Sequence, residues 1–211
     1  MKNNTTFPVG YHDFNKNKAF NFQMNRLYSM GNARLEDLKS AGPKINSMEE
    51  WKSEMLVLAE KALAEKQPMQ AAFYYRAAEF YITERDPEKE ILYQKYLDCF
   101  YRAAGQDRID RTEIPYKGSS IQTLRLQPEN TRARGTIILH GGFDSFKEEL
   151  YPMMRYFQQH DYEVINFETP WMGGARKKKE MGLEIEWEKL IGTVIDHYGL
   201  DEIVVGINLK G

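Results

Sequence analysis

Through the first half of the chain apolar side chains recur at helical spacing and through the second half at strand spacing, the change falling near residue 107. Trp51, Met55, Leu58 and Ala62 step by four, three and four residues, which places them on one helix face. Ala71, Tyr75, Ala78 and Ile82 repeat those steps, as do Leu92, Tyr96, Cys99 and Ala103. Ser47 with Glu50 forms a capping-box pattern, Pro68 fits the first turn of the second helix, Asp86-Pro87 opens the third and Gly105 closes it. Three helices joined by short turns predict an antiparallel bundle over 45–106. One such hairpin without a second copy at a fixed period gives no solenoid. Upstream, a broken helical pattern from Phe20 to Lys39 stops at Ala41-Gly42-Pro43. Residues 1 to about 18 are Asn- and Lys-rich with Phe7, Tyr11 and Phe14 among them, so 1–44 reads as an arm laid on the body, mobile at its tip, and a short helix.

Beyond Gly105 the turn-forming Lys117-Gly118-Ser119-Ser120, beside Ile121, Thr123, Leu124 and Leu126, predicts a two-stranded hairpin. Thr136-Ile137-Ile138-Leu139 is a continuous apolar run of the kind buried on both faces, hence a central parallel strand. A helix is expected from Ser145 to His160, with Ser145 and Glu148 as its capping box, then a strand from Tyr162 to Phe167. A second helix over Glu184 to Tyr198 and a last strand over Glu202 to Ile207 complete an alternation that implies right-handed crossovers and a mostly parallel sheet over 107–211.

Composition narrows the chemistry. At 211 residues and 42% apolar content the chain is a folder, and a formal charge of -2 gives no global field to recruit nucleic acid or anionic lipid. Cys99 is the sole cysteine, so no internal disulfide forms, and a packed, unreactive thiol in a reducing cytoplasm is expected. The scattered histidines offer no metal-ligand spacing, and no cofactor is implied. No secretory leader is apparent, and no apolar run approaches the roughly 20 residues needed to span a bilayer. The basic run Arg176-Lys177-Lys178-Lys179 is followed by Glu180, Glu184, Glu186 and Glu188, and reads as a solvated loop.

The chemistry concentrates where the central strand runs into His140-Gly141-Gly142-Phe143-Asp144-Ser145. Backbone amides in such a turn can stabilise a developing oxyanion, although a His-Gly-Gly turn is equally a tight connection from strand to helix. Taken with Tyr162 to Pro170 leading to Gly173-Gly174, with Glu186-Trp187-Glu188-Lys189 and with the closing strand, it resembles the α/β-hydrolase fold. The branch it resembles carries an N-terminal helical region and includes esterase-like proteins and a carbon–carbon hydrolase of nicotine-derivative breakdown. The resemblance covers most of residues 45–211.

The resemblance implies an α/β protein in which the helical bundle acts as a cap over the first half of a hydrolase core. It implies one oxyanion amide from Gly142, or from Phe143 if the register differs by one, and a second from Leu209. It also implies a nucleophile elbow at Gly206-Ile207-Asn208-Leu209-Lys210-Gly211, where Asn208 stands in place of the serine and Lys210 in place of a glycine. An amide cannot be deprotonated to attack a carbonyl, and the acid and histidine base of the family fall beyond residue 211. His140 belongs to the turn, and His160 and His197 lie at helix ends. The expectation is therefore a chain of hydrolytic ancestry, acting in its family on small-molecule carbonyl compounds through ester, amide or carbon–carbon cleavage, but inactive as written. The alternatives are a binding protein using the bundle and one portion of a split enzyme. Tyr74, Tyr75, Phe80 and Tyr81 could line a substrate pocket, though aromatics at helical spacing are also core formers. An uncovered edge on the last strand predicts self-association.

Overall fold

Ser47 accepts a hydrogen bond from the Glu50 N–H at 3.1 Å, and the Glu50 carboxylate reaches back one residue further than a standard box, to the Asn46 N–H at 2.7 Å. Helix α3 (Met48–Ala64) starts there, α4 (Pro68–Phe80) follows with its proline in the first turn, and α5 (Pro87–Ala104) is capped by Asp86 and ends at Gly105. The contacts fix their directions. Trp51 at the start of α3 donates to the Ala77 carbonyl near the end of α4 at 2.7 Å, and Lys89 at the start of α5 pairs with Glu79, also near the end of α4, at 2.6 Å. Neighbouring helices therefore run antiparallel. The broken pattern upstream resolves into α1 (Lys18–Ser29) and α2 (Leu35–Ala41). Phe20 of α1 stacks on Trp51 at 5.4 Å, and Tyr81 meets both rings edge-on.

The computed structural model describes residues 5–105, 109–128, 133–142, 144–170, 187–201 and 203–207. The chain divides into two compact units, residues 6–106 and residues 107–211 together with the first five. In the helical unit the arm is tied down by side-chain amides. Asn25 pairs with His12 as a strand neighbour would, accepting from its N–H and donating to its carbonyl at 2.8 Å each, and Asn21 accepts from the Phe14 N–H at 2.7 Å. Asn15 donates to the Gly42 and Ile45 carbonyls at 2.7 Å each. Gly42 lies so close to the arm that a Cβ there would sit 2.1 Å from the Phe14 carbonyl oxygen, so only glycine fits.

The sheet unit holds five strands: β1 (Asp110–Tyr116), β2 (Ser119–Leu126), β3 (Thr136–His140), β4 (Glu163–Glu168) and β5 (Ile203–Ile207), in the order β1-β2-β4-β3-β5. Lys117 and Gly118 both take positive φ, which gives the turn the twist that a two-residue hairpin requires. The sheet is mixed: β1 with β2 and β2 with β4 are antiparallel, whereas β3 pairs in parallel with β4 on one side and β5 on the other. Between them run α6 (Tyr151–Gln159) and α7 (Trp187–Tyr198). The chain crosses the sheet one way from β3 to β4 and returns past β3 to β5, so right-handed crossovers put the two helices on opposite faces. Leu190 and Val194 of α7 close one face over Ile121, Ile138, Ile165 and Phe167.

One helix start needs correction. The segment expected as a helix from Ser145 opens instead with a 3-10 turn, Lys147–Leu150, and α6 begins only at Tyr151. Glu149, not Glu148, reaches back, accepting from the Phe146 N–H at 2.9 Å, while Glu148 pairs with Lys147. Gly173-Gly174, Arg176 to Lys179 and the start expected for α7 at Glu184 lie outside the described residues. Among the described residues no helix is long and apolar enough to cross a membrane, and no cluster of His, Cys, Asp or Glu is arranged to hold a metal.

Candidate functional site

All five residues of β3 are buried, and the strand delivers His140 to the C-terminal edge of the sheet with Phe167 opposite it on β4 and Ile207 on β5. The chain then turns back sharply. A Cβ on Gly141 would lie 2.6 Å from that of Ser145, and the Ser145 N–H donates to the Gly142 carbonyl at 3.1 Å. Gly142 itself is half-buried. Phe143, Asn208 and Leu209, the other residues assigned to this site by resemblance, lie outside the described residues, as do Lys210 and Gly211.

His140 packs tilted against Phe167 at 4.8 Å and edge-on against Trp187 at 4.7 Å. This apolar nest pushes its pKa down to about 4, because burial penalises the imidazolium. A neutral ring held this way is a wall of the site. His160 caps α6, with Nδ1 2.7 Å from the Tyr156 carbonyl, and His197 sits in the last turn of α7.

Beneath the turn lies a polar cluster that the sequence reading did not assemble. Lys147 is buried, and each of its polar groups is engaged: its N–H donates to Glu168 Oε1 at 2.6 Å and its carbonyl accepts from Asn166 Nδ2 at 2.6 Å. Its ammonium lies 3.0 Å from Glu148, 3.8 Å from Glu168 and 3.1 Å from Gln122. Burial works to lower the Lys147 pKa, but the two carboxylates outweigh it and hold the group above the ordinary lysine value. Lys147 and Glu168 line a shallow recess with His140, Gly141, Gly142 and Ser145. Asn166 Oδ1 and Thr169 Oγ1 have no hydrogen-bond partner among the described residues, a deficit that buried polar atoms ordinarily make up with ordered water. The signal for this cluster was present in β4, where Asn166 and Glu168 alternate with Ile165 and Phe167 in a strand flanked on both sides.

The aromatic candidates belong to the helical unit. Tyr74 and Tyr75 are fully buried there, their hydroxyls donating to Asp37 at 2.8 Å and Glu60 at 2.5 Å, and burial raises both phenol pKa values. Phe80 and Tyr81 are half-buried and keep some surface. Cys99 is packed, and burial pushes its thiol up, away from nucleophilic chemistry.

No protein-family model matches the chain. It is similar to the α/β hydrolase gkaG of Penicillium citrinum, 28% identical over 88% of this chain and 50% of the relative, and to the hydrolyase poxO of Penicillium oxalicum, 27% identical over 88% and 51%. Among solved structures it is similar to a 2,6-dihydroxy-pseudo-oxynicotine hydrolase, with a TM-score of 0.61 at 22% identity over 86% of this chain and 56% of that one. The protein AbyA5 superposes with a TM-score of 0.67 at 16% identity over 92% and 56%. The chain spans about half the length of the curated relatives it matches.

Proposed function

Because these residues belong to the α/β-hydrolase fold family, we propose that they form the part of a hydrolase that receives the carbonyl oxygen of a small-molecule substrate. The observation that carries this reading is the placement of His140-Gly141-Gly142 at the C-terminal end of a fully buried central parallel strand, the edge at which open α/β sheets bind ligands. Gly142, or Phe143, offers an amide to the developing oxyanion, and Leu209 is the counterpart after the elbow. The cleaved bond is an ester, an amide or a carbon–carbon bond next to a carbonyl. Phe80 and Tyr81 are the two aromatic candidates with surface to offer a ligand.

The 211-residue chain by itself does not complete the chemistry. Asn208 stands at the position matching the nucleophile, and His140 is committed to contacts with two aromatic rings. Purified chain is expected to hydrolyse p-nitrophenyl esters of short acids no faster than buffer, and to resist labelling by a serine-directed fluorophosphonate. Turnover that such a label titrates would overturn the reading of Asn208. Failure of ester or ketone analogues to perturb both the Gly142 and the Phe143 amide resonances would overturn the oxyanion assignment.

A further inference from the structure

We propose that Lys147 is the positioning residue of the oxyanion turn, fastening the segment after Gly142 to strands β2 and β4 through Gln122, Asn166 and Glu168. The proposal rests on the reading of Gly142 given above and adds what holds that residue in place. A turn of two glycines is conformationally permissive, so the backbone at Gly141 and Gly142 has little rigidity of its own. On its upstream side it is fixed by β3. On its downstream side Lys147 is anchored to the sheet by both backbone groups, through Glu168 Oε1 and Asn166 Nδ2 at 2.6 Å each.

Two features separate this arrangement from ordinary packing. The Lys147 side chain is 8% exposed and those of Glu148 and Glu168 are 0% and 3% exposed, so the ion pairs are desolvated and geometrically exacting. Buried ion clusters are also weak sources of net stability compared with apolar side chains of equal volume, while they specify a single geometry where their partners are fixed. Here the partners are fixed. Glu168 ends β4 directly beside Phe167, the cross-strand neighbour of His140, so the clamp and the turn share one strand end. Preorganised donors act on a developing charge only if their position is held before the reaction, and the Lys147 clamp supplies that hold.

The test uses the 211-residue chain and its amide hydrogen exchange, read by NMR, at Gly142 and Ser145 with α4 as an internal reference. In Lys147→Met, exchange at Gly142 and Ser145 is expected to accelerate at least tenfold while α4 is unchanged. Lys147→Arg is expected to return it to within about threefold of the native chain. Should Lys147→Met fail to fold, the milder Asn166→Leu removes one anchor and is expected to accelerate the same two amides. Unchanged exchange at both amides in a folded variant would overturn the proposal, as would acceleration spread evenly over the sheet. None of these readouts depends on turnover or on a ligand, so a failure of the hydrolase reading would appear in the binding experiment with ester or ketone analogues and leave them standing.

Discussion

A histidine buried as a neutral ring makes the protein acid-sensitive in a defined window. His140 has a pKa of about 4 in the folded protein against 6.5 for an unperturbed ring. Between those values the unfolded chain takes up a proton that the folded chain refuses, so stability falls as pH drops from about 6.5 towards 4 and this contribution levels off below. The shift corresponds to about 3 kcal/mol. A ring titration by NMR should place His140 near 4, and His140→Gln should flatten this part of the pH dependence of chemical denaturation. A ring titrating near 6.5 would contradict the burial argument. At this scale the turn itself was legible, because glycines following an apolar run leave few alternatives. Lys147 was not, because a charged residue in sequence reads as surface until a partner from another strand is known. The helix expected from Ser145 went astray for a related reason. Either Glu148 or Glu149 could close a box, and the choice was made by Lys147, which takes Glu148.

Among the elements, those defined by a continuous period were read correctly from their residues: α3, α4 and α5 begin at the caps and prolines that announce them, and β3 is the buried run it was expected to be. What periodicity could not provide was the order of strands, since β2 meets β4 rather than β3 only through packing across the sheet. That order leaves β5 at one side. Its outer edge pairs with no other strand among the described residues, and Val204 is 62% exposed on the face away from α7, whereas Ile203 packs against the core. Such an edge invites pairing with another copy. Sedimentation of the 211-residue chain is therefore expected to show concentration-dependent association, which Val204→Lys weakens by about tenfold in Kd. A monomer at all concentrations, with a cooperative melt and no binding of a surface-apolarity dye, would refute the edge argument.

At the scale of the whole molecule the helical unit carries its own core, and its first turns are part of that core. Trp51 is the one tryptophan between residues 6 and 106, it is 1% exposed, and the ring stacked on it belongs to Phe20. A fragment of residues 6–106 is expected to melt cooperatively with blue-shifted Trp51 fluorescence. A fragment of 45–106, which loses Phe20, is expected to emit further to the red and to melt at least about 10 °C lower, in line with the loss of a stacked, buried aromatic from a small domain. Equal melting of the two would show that the arm and α1 contribute nothing to the core. The strand order also has a consequence for synthesis on the ribosome. Helical units close within milliseconds, so residues 6–106 are complete while the sheet is still being made. β3 then emerges before both of its partners, and at about 5–20 residues per second it waits for β4 on the order of seconds as an apolar ribbon with two bare edges. That wait makes Thr136 to His140 the stretch of the nascent chain most in need of a holding chaperone, and the point at which synthesis rate decides between folding and aggregation.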